Sequence, residues 1–214
     1  MEKNNTRLAA AIMILSALIG LTAGCGDKGT GSSGEPVWLT VGDRNIGETE
    51  ARYFLFTSAN IMRQNLPSIG WDDYIEGVAA SEFVRNEAVD AMRLYHAINM
   101  KAVELSATLS EQQQADLENL WQDRINHHGS EEAFFTYLKS ENVTPELFRF
   151  IIVTGILYEN VWEAVFGDSA IEGEDAFSEF SKLVDEWAGD VPYNLSDEFL
   201  NIDIRELYEN FRAG

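Results

Sequence analysis

Residues 80–105 read ASEFVRNEAVDAMRLYHAINMKAVEL, and this stretch decides the fold. Val84, Ala88, Ala91, Tyr95, Ile98, Ala102 and Leu105 recur at spacings of four, three, four, three, four and three. Steps of three and four keep side chains on one stripe of a helix, because successive residues turn by about 100°. The spacing therefore predicts one long helix from about Ala80 to Leu105. Its alanines allow another helix to approach closely, so the core is expected to be helix on helix.

The flanking segments agree. Upstream, Val37-Trp38-Leu39-Thr40-Val41 is β-prone and closed by Gly42-Asp43; it is the one strand that the pattern supports. Glu48 to about Asn65 places Ala51, Phe54, Leu55, Ser58 and Met62 on one helical face, and Pro67 and Gly70 end it. Downstream, Ser110-Glu111-Gln112-Gln113 is a capping box that opens a helix bearing Leu117, Leu120, Trp121 and Ile125. Gly129-Ser130 restarts the chain into a short helix with Phe134, Tyr137 and Leu138. Thr144-Pro145-Glu146 combines a cap, a first-turn proline and an early acid. The helix after it is apolar on more than one side, through Phe148, Ile151, Ile152, Ile156, Leu157, Val161, Trp162 and Val165, so it is expected to be central. A last amphipathic helix carries Phe177, Phe180, Leu183, Val184 and Trp187 and stops at Gly189. The tail is mixed, with Phe199 to Ile204 either extended or helical, and Ile202–Ile204 is the candidate partner for the N-terminal strand. The expected fold is mostly α: a single domain of about six helices with one short N-terminal strand.

Cys25 is the only cysteine. Before it stand a short polar start with Lys3 and Arg7, an uncharged run from Leu8 to Leu21, and the small residues Ala23-Gly24. This is the layout of a secretory signal. A membrane span needs about 20 apolar residues, more than this run supplies. Leu21-Thr22-Ala23-Gly24-Cys25 resembles the lipobox of bacterial lipoproteins, with Thr22 where that family most often has Leu. The resemblance implies lipidation of Cys25 and anchorage on the outer, extracytoplasmic face of the bacterial cell membrane. Residues 1–24 would be the signal, 25–36 (reading to GDKGTGSSGEP) a flexible tether, and 37–214 the helical domain.

Asp and Glu number 36 against 15 Lys and Arg, a net charge of −21. Such a surface repels nucleic acid and anionic lipid headgroups. Chemistry is sparsely signalled. Among the histidines, His96 sits within a predicted helix, and the adjacent His127 and His128 point in different directions, which makes a poor metal pair. Asp168 to Glu179 has the outline of a calcium loop, with Gly173 at its sixth position, but Ala170 removes a required oxygen ligand. Pairs such as Asp72-Asp73 are uninformative in so acidic a chain. No phosphate-binding Gly-rich loop or serine-nucleophile motif occurs, and no cofactor, metal or catalytic residue is implied. Nor does the chain show the two α/β lobes of a periplasmic solute receptor.

Taken in order, the segments resemble the N-terminal chaperone domain of SurA and the PrsA-type foldase lipoproteins. That family opens with a strand and turn, then a hydrophobic residue and a glutamate inside the first helix; here these are Val41-Gly42-Asp43, Ile46, and Glu48 or Glu50. Lys101-Ala102 closes the long helix, Leu109-Ser110-Glu111-Gln112 opens the next, and Gly129, Phe134, Leu138 and Thr144-Pro145-Glu146 follow in the family's order. The stretch between Phe166 and Phe177 is too short for the parvulin isomerase domain that PrsA-type proteins carry there. The resemblance thus implies a holdase-like chaperone for unfolded or partly folded exported proteins, with no isomerase chemistry. Two alternatives stand beside it: an adaptor or assembly lipoprotein with one specific protein partner, and a divergent peptidyl-prolyl isomerase. Phe56, Met62, Trp71, Tyr74 and Met92 are the candidate client contacts, since aromatic and Met surfaces accommodate varied sequences.

Overall fold

The first elements of the described chain form a β-hairpin. The computed structural model describes residues 35–167 and 173–213. The expected signal, the expected lipidation at Cys25 and the expected tether up to residue 34 lie outside the described residues, as does the Asp168 end of the calcium-like spacing. Strands β1 (Val37–Val41) and β2 (Arg44–Gly47) pair antiparallel across Gly42-Asp43. Gly42 has φ +60°, as the first central residue of a type II′ turn requires. An added Cβ there would also stand 2.1 Å from His96 Nε2, so glycine is required twice.

Helix α1 (Glu48–Asn65) starts without a side-chain cap from its own N-cap, Gly47. Glu35 supplies one from outside: its carboxylate accepts from Thr49 N at 3.3 Å and from Thr49 Oγ1 at 2.8 Å. The last residues expected to be tether are therefore docked on the domain. A second hairpin follows, β3 (Tyr74–Ile75) and β4 (Val78–Ala79), turning through Glu76 and Gly77, both at positive φ.

Helix α2 (Ala80–Glu104) is the axis of the molecule and packs against α1, α5 and α6. The seam from Val84 to Ala102 is buried throughout; Leu105 caps the helix and is exposed. Helices α3 (Glu111–His128) and α4 (Glu131–Ser140) form a hairpin, and α4 meets α5 (Pro145–Phe166). The expected starts are present: Ser110 Oγ accepts from Gln113 N while Gln113 Oε1 accepts from Ser110 N, and Thr144 caps α5. Asn99 of α2 donates to the buried Thr154 hydroxyl of α5 at 2.7 Å, fixing the register of the two helices. Helix α6 (Gly173–Asp190) buries Phe180, Val184 and Ala188, and Arg93 of α2 donates to the carbonyls of Gly189 and Val191 at its end. A cation suits that helix terminus.

The tail corrects one expectation. The partner of β1 is β5 (Tyr193–Leu195), with Leu39 opposite Leu195, giving the sheet order β2-β1-β5. Ile202 is a lone extended residue between α7 (Asp197–Asn201) and α8 (Ile204–Ala213), because Asp203 accepts from Glu206 N and starts a helix there. The fold is mostly helical, with the small sheet at one side of the bundle.

Candidate functional site

The apolar faces of α1 and α5 each close on α2. Phe54 and Leu55 of α1 meet the α2 seam, and the Phe54 and Tyr95 rings stand edge to face at 5.4 Å. Met62 and Met92, expected as client contacts, are each only 3% exposed and belong to this core. Met62 shares the inward stripe of Phe54 and Leu55, and Met92 flanks the α2 seam beside Ala91, so burial follows from helix geometry. A greasy cradle between these helices is therefore not the site.

The other three candidates stand elsewhere. Phe56 comes two residues after Phe54, about 200° further round α1, and so faces the opposite way. There it stacks on Phe211 of α8 at 4.5 Å and lies 5.8 Å from Tyr208. Trp71, in the loop after α1, packs 5.4 Å from Tyr208. Tyr74, three residues on, is 72% exposed. The structure thus brings Phe56 and Trp71 to one aromatic face and leaves Tyr74 on the surface of the neighbouring hairpin.

This face holds an open cleft of about 410 Å³ lined by Arg63, Trp71, Tyr208, Glu209 and Arg212. The Arg63 guanidinium lies 5.7 Å from the Trp71 ring centre, and that of Arg212 lies 5.8 Å from Tyr208. Arg63 is further oriented by donating to the Ile69 carbonyl. Glu209 accepts from Arg205 Nε at 3.0 Å. The α8 residues were not among the sequence candidates. Their signal was present, since Ile204, Leu207, Tyr208 and Phe211 follow helical spacing, but the charged residues between them obscure it.

A second cluster of polar groups lies under the β1–β2 hairpin. The Arg44 guanidinium forms a two-pronged pair with Glu50 of α1 and stacks on Phe150 of α5, 4.0 Å from its ring centre. Burial pushes the Glu50 pKa up and Arg44 opposes it. Of the two first-helix glutamates, Glu50 is therefore the buried one; Glu48 pairs with Arg52 at the surface at 2.7 Å. His96 Nε2 lies 3.7 Å from Asp43 Oδ1 beneath Gly42. Burial lowers the His96 pKa, Asp43 raises it, and Arg44 lowers it again. His128 is a packing residue, stacked on Tyr137 at 4.5 Å. These groups tie the hairpin to the helices and leave little room for a substrate.

No protein-family model, curated protein or solved structure matches this chain. The geometry of the aromatic cleft carries the functional reading. Guanidiniums over ring faces keep their edge N–H groups free to donate, and the rings offer flat apolar area. Such a surface can bind a chain segment.

Proposed function

We propose that this chain is an extracytoplasmic lipoprotein, anchored through lipid on Cys25, which holds unfolded or partly folded exported proteins without changing their covalent structure. The observation that carries the reading is the open aromatic cleft between α1 and α8, with Phe56 behind it and Tyr74 exposed on the adjacent hairpin. Ring surfaces with few rotatable bonds gain contact area at low entropic cost. The order of elements is consistent with the SurA and PrsA-type resemblance: a strand hairpin, a first helix with an inward glutamate, a long small-residue helix and a capped one after it. A lipid tether would keep the cleft near emerging chains and raise its effective concentration.

The test is suppression of aggregation of an unfolded exported protein by the full chain in lipid nanodiscs, alongside prolyl isomerisation of a short peptide. Suppression without isomerisation is the expected result, with Cys25→Ser releasing the protein from membranes in the cell. Isomerisation at an enzymatic rate overturns the reading. A second reading, an adaptor for one defined partner, is favoured by the modest size of the cleft and its two arginines; inactivity in both assays selects it.

A further inference from the structure

The cleft has a charge character opposite to that of the chain. The whole protein carries −21, yet the cleft wall presents Arg63 and Arg212, and among the described residues neither is ion-paired. The one carboxylate on the wall, Glu209, is engaged by Arg205, which Asp72 and Asp203 also face. Two guanidiniums without an ion pair among the described residues therefore line one opening in a chain of few cations.

We propose that this cleft binds a peptide segment through a carboxylate, with an apolar side chain beside it packed on Trp71 and Tyr208. The arginines specify the anion. Each lies near a ring face; Arg63 gives one donor to the Ile69 carbonyl, and the remaining N–H groups of the two arginines suit a carboxylate. A monoanion is favoured over a phosphate dianion for two reasons. Arg63 and Arg212 both stand in the last turns of their helices, where the helix dipole is negative and offsets part of their charge. Glu209 adds a further negative group to the wall. The volume of about 410 Å³ suits one or two side chains, not a long segment.

This inference deepens the reading above by naming what the cleft takes, and it reverses the simplest expectation from net charge, which is that an acidic protein attracts basic segments. The net negative charge of the chain would still admit only a short anionic stretch, so binding should be selective for an isolated carboxylate.

The experiment is calorimetric titration of the full chain in nanodiscs with a capped six-residue peptide carrying Phe beside Glu. The same peptide with Gln for Glu and inorganic phosphate are the comparison ligands. The Glu peptide should bind roughly tenfold more tightly than the Gln peptide and weaken as salt is raised. Arg212→Gln, an exposed change in the last turn of α8, should cost a similar factor while leaving the thermal midpoint in place. Arg63→Lys, which keeps the charge and loses the fork, should weaken binding less than Arg63→Gln. Equal affinity for both peptides, stronger binding of phosphate, or indifference to Arg212→Gln overturns the proposal. So does self-association that Arg212→Gln abolishes, which would make the occupant a second copy of the chain. Peptide binding with no suppression of aggregation removes the holdase reading and leaves this site standing; suppression without peptide binding does the reverse.

Discussion

The two sides of α1 carry the same kind of residue and do opposite things. On the inner side, Phe54 is fully buried against Tyr95 of α2. On the outer side, Phe56 stacks on Phe211 and stays partly open to solvent. Alanines make the difference on the inner side, because the buried Ala88 and Ala91 let neighbouring helices approach α2 closely. Outside, the partner is α8, a short terminal helix whose interleaved arginines and glutamates cannot enter a core. Aromatic content alone thus says little about function; what faces the ring decides whether it is core or surface.

The comparison is broken most directly by truncating the two rings. Phe54→Ala should cost about 3–5 kcal/mol in urea unfolding, because it leaves a cavity in packing that cannot collapse. Phe56→Ala should cost about 1–2 kcal/mol, since solvent already reaches its edge and α8 can shift. Equal losses would mean that the α1–α8 contact is as tightly built as the seam, and the cleft would then be part of the core.

How much of this was legible follows the same division. The α2 seam, the Ser110 box and the Thr144-Pro145 start depend on local spacing and local hydrogen bonds, so the sequence reveals them. Strand β2 was not legible, because Ile46 is its only apolar side chain and pairing with β1 is what makes it a strand. Strand β5 is short and mostly exposed, and by apolar content Ile202 and Ile204 make the better partner for β1. Helix α8 mixes its apolar stripe with four charged residues over ten, which hides a surface helix from a reading keyed to hydrophobic runs. Of the five candidate contacts, periodicity could have removed Met62 by itself, since it lies on the same stripe as Phe54 and Leu55. The place of Phe56 and Trp71 in one face needed the tertiary contact with α8, which no local pattern encodes.

The hairpin anchor offers a sharper contrast with the dry seam, because it holds the sheet to the bundle by charge. Arg44→Met should cost about 2–3 kcal/mol near neutral pH, since it leaves the Glu50 carboxylate enclosed without its counter-ion. Removing Arg44 takes away the group that opposes burial, so the folded-state pKa of Glu50 rises further above its unfolded value. The folded state then binds more protons than the unfolded one, and the variant should recover stability as pH falls towards 4.5. Adding Glu50→Gln should restore much of the loss at neutral pH. A variant as stable as the parent at pH 7 would show that the pair contributes nothing to the anchor.

The smallest expected effect has the opposite sign and comes from His96. Its ring is enclosed beneath Gly42, with the Asp43 carboxylate 3.7 Å away and Arg44 also acting on it. Burial dominates and lowers its folded-state pKa below 6.5, so the folded protein holds it neutral where the unfolded chain has begun to protonate. Between 6.5 and the lower folded value the unfolded state binds more protons, and stability must fall as the solution is acidified. His96→Gln keeps a polar group of similar reach and removes the titration. Urea midpoints measured from pH 7.5 downwards should decline less steeply for the variant than for the parent, with the two curves separating below pH 6.5. Parallel curves would place His96 outside the linkage, and a parent curve that declines less steeply than the variant's would mean that Asp43 prevails over burial, so that the hairpin is held by a charged histidine.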